Sequence, residues 1–291
     1  MRLATIKLMG LEVAAVITSK GAVSVSLVNE KLNKNWSSDL FEIIKKGQLD
    51  EMKDWYEKGG KEEIEKLEFI PKEEIKYAPL YRRPRKIWGI GLNYVEHASD
   101  LAEKAPDEEP ASFMKPDTTI IGPMDAIKIP VQSEKTTAEA ELGVIIGKVC
   151  KDVEREDWLS CVAGFTTIID VTAEDILRKN PRYLTRAKSF DTFFSFGPVM
   201  VTTDEIEDVM KLRVATVKNG KIFAQNTVSN MKFPPDFLVS FHSKVMTLLP
   251  GDIISTGTPR AVQINDKDVV ECWIDGFEPL INNVVDLKVR K

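Results

Sequence analysis

Apolar and polar positions fall into two textures along this chain. Up to about residue 70, short alternating runs sit beside charged helical stretches. AVSVSLV (22–28) alternates and reads as a strand, because successive side chains on a strand point to opposite faces. SSDLFEIIKKG (37–47) reads as a helix, with Ser37 or Ser38 as its cap and Gly47 as its stop. Two more charged helical stretches run to about Glu68. Residues 71–86, PKEEIKYAPLYRRPRK, hold three prolines and no periodicity, which is the pattern of a linker. Its basic cluster RRPRK reads as a solvated connector in preference to a nucleic-acid patch.

From Ile87 onward short strands dominate. VKNGKI (217–222) sets Asn-Gly between alternating runs, a strong hairpin signal. LLPGDIISTGTP (248–259) turns at Pro-Gly and enters another strand. Helices are expected near 93–104, 154–161, 173–180 and 235–247. The pattern predicts an α+β, mainly β chain: a small N-terminal α/β domain over 1–70, a linker over 71–86 and a second domain over 87–291.

Composition narrows the function. The 291 residues are 43% hydrophobic with a net charge of −5, an ordinary globular balance that argues against general nucleic-acid binding. No apolar run approaches the roughly 20 residues of a membrane span. The opening MRLATIKLMG lacks the continuous apolar core of a signal peptide, so the expected location is cytoplasmic. The cysteines Cys150, Cys161 and Cys272 form no CxxC pair, which fits a reducing compartment and no zinc site. With only two histidines, His97 and His242, chemistry must lean on carboxylates, lysine or metal.

The most informative stretch is TTAEAELGVIIG (136–147). Glu139 and Glu141 stand two apart at the entrance of an apolar strand and therefore share a face. Either both are solvated at a strand end, or a divalent cation turns their repulsion into shared coordination. A third acid, Asp170, follows the apolar run Phe165–Ile169; it reads as a cavity-mouth carboxylate or as an N-cap for a helix beginning near Val171. In IWGIGLNYVEHASD (87–100), Tyr94 stands where a dinucleotide fingerprint needs its third glycine, so that motif is rejected. Asn93 with Glu96 has the form of a helix cap and its reciprocal partner. His97 and Asp100 would share a helix face, as a base with its orienting carboxylate or as a surface pair. Lys188 precedes a phenylalanine-rich stretch, where partial burial would lower its pKa and make it a base. TGTP (256–259) offers hydroxyls suited to a carboxylate, or is simply a turn.

Taken in order, GLNYVEHA, PASFMKP, EAELGVIIG, GFTTIIDVTAED, KSFDTF with its following GP, the Asn-Gly hairpin and LLPGDIISTGTP resemble the fumarylacetoacetate hydrolase family over 87–291. The resemblance implies a mixed β-roll catalytic domain, a homo-oligomer, and a Mg²⁺ site that also accepts Mn²⁺ or Ca²⁺. It puts the metal ligands on Glu139, Glu141 and Asp170, the active-site lysine on Lys188 and the histidine on His97, with Asp100 beside it. Substrate contacts fall on Thr258 and Lys115, and Arg260 is added as a third. The implied partner is a small 2-oxo acid.

Three positions depart from the family's pattern: Asp100 replaces a glutamate, Glu174 an arginine, and Ala261, after Arg260, a glycine. With the overall likeness to archaeal members, Arg260 and Glu174 favour dehydration of a 2-keto-3-deoxypentonate to a 2,5-dioxo acid. Acylpyruvate-type carbon–carbon hydrolysis is the alternative.

Overall fold

The computed structural model describes residues 1–94 and 108–289. His97, Asp100 and most of the helix expected near 93–104 lie outside the described residues.

Two sheets carry the fold, one of thirteen strands and one of five among the described residues. Most pairings are antiparallel, but Ile253–Ser255 runs parallel to Ile87–Gly91 and Leu280–Asp286 parallel to Ala126–Ile129, so the architecture is mixed, mainly β, α+β. The centre of the large sheet is the long antiparallel pair Thr136–Ile146 and Val162–Ala173, buried along its whole length. Its two faces serve different cores. Ala138, Ala140, Leu142, Val144 and Ile146 pack toward the five-stranded sheet with Val270, Cys272 and Val284. Ile145 and Ile168, on the opposite face, join Val28, Ile43 and Met52 of the N-terminal helices in a second core.

The N-terminal strands belong to the same large sheet. Arg2–Leu8 pairs antiparallel with Val199–Thr202, which in turn pairs with Val162–Ala173. The proline-containing stretch is also held by backbone bonds. Ala78 donates to Thr5 (2.9 Å), Lys7 donates to Lys76 (2.7 Å), and Ile70–Pro71 pairs with Gly21–Ser24.

Several local expectations change. Residues 22–28 are not one strand: the strand Gly21–Ser24 gives way to the helix Val25–Leu32. Ser24 accepts a hydrogen bond from Leu27 N (3.2 Å) as N-cap, and Val25 and Val28 bury one helix face, so the alternation served a helix. The next helix, Leu40–Lys45, is capped by Asp39 accepting from Glu42 N (3.0 Å), one residue later than Ser38. The expected helix at 154–161 is a 3₁₀ run, Arg155–Cys161. Helices do form at Glu174–Lys179 and Pro235–Val245, near the expected places. The hairpin turns at Asn219 and Gly220, with φ of 52° and 72°, as Asn-Gly requires. The three cysteines are free and buried. No helix among the described residues is long and apolar enough to cross a membrane.

Candidate metal centre

The central strand pair explains how three acids meet. Asp170 stands directly opposite Glu139, and Glu141 stands opposite Ile168, one step along the same face. Directly opposed and diagonal residues on one face are cross-strand neighbours. All three are buried, and their carboxylate oxygens lie within 4.8 Å of one another. Asp170 is no N-cap. Its strand continues to Ala173, because the register with Thr136–Ile146 holds it there, and the helix begins only at Glu174.

Two lysines complete the cluster. After the strand, the chain loops through Glu174–Lys179 and Leu184–Lys188 and returns as Phe194–Phe196 beside Asp170. Lys188 Nζ thereby reaches Asp170 Oδ2 (2.5 Å) and Glu139 Oε2 (3.0 Å). Lys115 leaves the strand Ala111–Met114 and donates to Asp170 Oδ1 (2.5 Å) and to the Val171 carbonyl (3.4 Å). Gly89 contributes indirectly. A Cβ there would lie 2.2 Å from the Phe113 ring, so the glycine admits that ring, which sits 4.8 Å from Lys188 Nζ.

Burial and charge act unequally on these groups. Burial, with the Asp170 and Glu139 charges adding to it, pushes the Glu141 carboxyl up to about 8. Burial works the same way on Asp170, but the Lys115 and Lys188 ammoniums outweigh it and hold that carboxyl below its ordinary value. Burial lowers Lys115. For Lys188 burial also acts downward, yet Asp170, Glu139 and Glu141 outweigh it and the net direction is upward. That corrects the expectation of a lysine depressed by its apolar surroundings: the carboxylates at its tip decide.

Further hydrogen bonds fix the acids. Thr172 Oγ1 donates to Glu139 Oε1 (2.8 Å). Ser255 Oγ (2.5 Å) and Gly257 N (2.8 Å) both donate to Glu141 Oε2. These partners escaped the sequence reading. Ser255 lies immediately before the TGTP motif, and Thr172 two residues after Asp170, which is the signal that would have found them on a strand. Thr258 is buried one residue beyond the Gly257 amide, its hydroxyl 3.3 Å from the Arg260 carbonyl. Arg260 lies at the surface with its guanidinium 5.3 Å above the Phe223 ring. Glu96, the partner expected for Asn93 in a helix cap, lies outside the described residues. Asn93 is fully buried, donates to the carbonyls of Phe233 (2.9 Å) and Thr256 (2.7 Å), and accepts from Phe233 N (2.8 Å).

The donor set is three carboxylates, with no sulfur or imidazole among the described residues of the cluster. Such all-oxygen sites suit hard divalent cations such as Mg²⁺ and Mn²⁺, so these residues fit a metal.

A family model for the fumarylacetoacetate (FAA) hydrolase C-terminal region matches residues 86–285. The chain belongs to the fumarylacetoacetate hydrolase family. It is 42% identical over 219 residues to an uncharacterized protein of Archaeoglobus fulgidus, covering 75% of this chain and 85% of that one. The human mitochondrial oxaloacetate tautomerase FAHD2A is 35% identical over 228 residues, 75% of this chain and 72% of its own. Among solved structures, the 5-carboxymethyl-2-hydroxymuconate delta-isomerase of Mycobacterium smegmatis superposes with a TM-score of 0.76 at 29% identity. That match covers 98% of this chain and 99% of the isomerase, N-terminal region included. The motifs therefore identified the family and its fold. Dehydration, the finer expectation, has no counterpart in the activities these named relatives carry.

Proposed function

We propose that this family member is a divalent-metal-dependent enzyme that interconverts the enol and keto forms of a small 2-oxo acid. The observation that carries it is Lys188. Its ammonium sits within 3.0 Å of two of the three candidate metal ligands, so a proton carrier and a cation site share one buried place. The names of the relatives, a tautomerase and an isomerase, support the same class of proton transfer.

Glu139, Glu141 and Asp170 would hold a divalent cation, which would supply a Lewis acid for the oxygen at C2. Lys188 holds a proton at Nζ, because the carboxylates beside it favour the charged form. It gives that proton to C3 of the enol, and the amine left at Nζ takes the proton of the enol hydroxyl, so the net change moves one proton from oxygen to carbon. Phe113 and the surrounding strands keep Lys188 out of water, which fixes where the proton is delivered. Lys115 holds Asp170 from the other side and adds positive charge where a substrate carboxylate would approach. Mg²⁺ is the metal of this reading. Its partner is a 2-oxo acid, and neither nucleic acid nor membrane has a part in it.

Dehydration of a 2-keto-3-deoxypentonate would begin at the same carbon, but the names of the relatives do not support it, and Glu174 and Arg260 make local contacts. Glu174 spends its carboxylate on Lys135 (2.9 Å) and Arg178 (2.6 Å), and Arg260 lies over Phe223 at the surface. The test supplies Mg²⁺ with enol-form oxaloacetate, an acylpyruvate and a 2-keto-3-deoxypentonate, following enol absorbance and product mass. Accelerated ketonisation with carbon retained is expected. Turnover confined to loss of water from the sugar acid, or to release of pyruvate from the acylpyruvate, would replace this reading with a dehydratase or a hydrolase.

A further inference from the structure

Two donors converge on a single oxygen of Glu141. Ser255 Oγ and Gly257 N both reach Oε2, at 2.5 and 2.8 Å, and among the described residues no donor reaches Oε1. Glu139 differs: Thr172 takes its Oε1 and Lys188 its Oε2.

The donor pair is built into the sheet. Ile253–Ser255 pairs antiparallel with the ligand strand, setting Ser255 opposite Gly143. Thr256, between the two donors, turns the other way and gives both its N–H (3.1 Å) and its hydroxyl (2.8 Å) to the Leu142 carbonyl. Gly257 adopts φ +96°, and a Cβ there would lie 2.8 Å from the Cβ of Asn93. Asn93 in turn holds the Thr256 carbonyl (2.7 Å). The Ser255 side chain is fully buried, where a hydroxyl needs a hydrogen-bond partner; its partner is the Glu141 carboxylate.

We propose that Ser255 is a positioning residue for the metal: with the Gly257 amide it holds Oε2 of Glu141 and so presents Oε1 to the cation as a single oriented ligand atom. This rests on the metal reading above. Outer-shell partners of metal-bound carboxylates typically contribute 10- to 100-fold in affinity.

The experiment titrates Mn²⁺ into metal-free wild type, Ser255→Ala, Ser255→Cys and Glu141→Gln. It reads the dissociation constant by calorimetry and the ligand symmetry from the Mn²⁺ paramagnetic resonance spectrum, with circular dichroism as the fold control. Ser255→Ala is expected to weaken binding by about 10- to 100-fold and to alter the spectrum, and Glu141→Gln to weaken it more. Ser255→Cys keeps the volume but offers only a weak donor, so it should weaken binding too, and it decides the matter if the alanine variant does not fold. Wild-type affinity and spectrum in a folded Ser255 variant, with binding lost in Glu141→Gln, would overturn the positioning role and leave the metal centre standing. Wild-type binding in Glu141→Gln would remove the metal centre and this role with it.

Discussion

Among the described residues, the Asp252 site and the Glu139, Glu141 and Asp170 site are buried ionic sites of opposite design. At the Asp252 site one carboxylate meets one ammonium: Lys86 Nζ lies 2.6 Å from Oδ2, and the amides of Lys86 (3.0 Å) and Leu249 (2.7 Å) complete its hydrogen bonds. At the Glu139, Glu141 and Asp170 site three carboxylates meet two ammoniums, leaving one negative charge in excess when all are ionised. One site is closed and matched. The other, among the described residues, keeps an oxygen without a donor, and a carboxyl raised to about 8 by burial and by its neighbours. A buried charge that serves stability alone satisfies its partners; an unmatched cluster held rigidly by a sheet is maintained against its own repulsion.

Lys188→Met tests the open site most severely. Removing a positioned proton carrier should slow turnover by about 10²- to 10⁴-fold, measured as exchange of the C3 hydrogen with deuterated water. Exchange at the wild-type rate would assign the proton to another group and leave Lys188 as a charge partner only.

Asp252→Ala probes the closed site. It leaves Lys86 without its partner and strips two amides of their acceptor, so stability should fall by about 3–5 kcal/mol in denaturant titrations, with Mn²⁺ affinity unchanged. A loss of metal affinity as large as that of Glu141→Gln would show that the two sites are one.

Glu141→Gln should move stability the other way. With an ordinary carboxyl near 4.5 and a folded value of about 8, the metal-free folded protein binds more protons than the unfolded chain between those values. Its stability therefore falls as pH rises across that window. The glutamine variant should lose this slope and gain roughly 0.5–2 kcal/mol at neutral pH, as relief of a strained functional site commonly does. A destabilised variant with the slope intact would place the strain elsewhere.

The smallest effect belongs to His242, far from either design. Its Nδ1 lies 2.8 Å from the Leu238 carbonyl, its ring packs 4.6 Å from that of Trp88, and burial lowers its pKa. The unfolded chain takes up the proton first, so the His242 contribution to stability should decline as pH falls through about 6.5 and stay flat above it. Chemical denaturation of wild type and His242→Phe at pH 7.5 and 5.5 checks this. An unchanged difference between the two pH values in the variant would assign the decline to other groups.

Some of this was legible early because it is local. Asn219–Gly220 needs positive φ at both positions, which Asn and Gly tolerate, and the hairpin follows. Glu139 and Glu141 share a face because the strand period is two, and order along the chain was enough for the motifs to identify the family. Residues 22–28 misled because Val25 and Val28 satisfy a strand and a helix alike, and Ser24, as the cap that decides between them, acts through a single hydrogen bond.

The sequence by itself determined which residues are acidic, which are basic, and which of them lie on strands. Only the tertiary structure decided what those charges feel. Lys188 follows Asp170 by eighteen positions and Lys115 precedes it by fifty-five, yet both ammoniums end on that one carboxylate. The register that sets Asp170 opposite Glu139 and the pairing that carries Ser255 to Glu141 come from strands far apart in the chain. Electrostatic energy depends on distance and burial, and neither is fixed until the sheet has closed around the cluster.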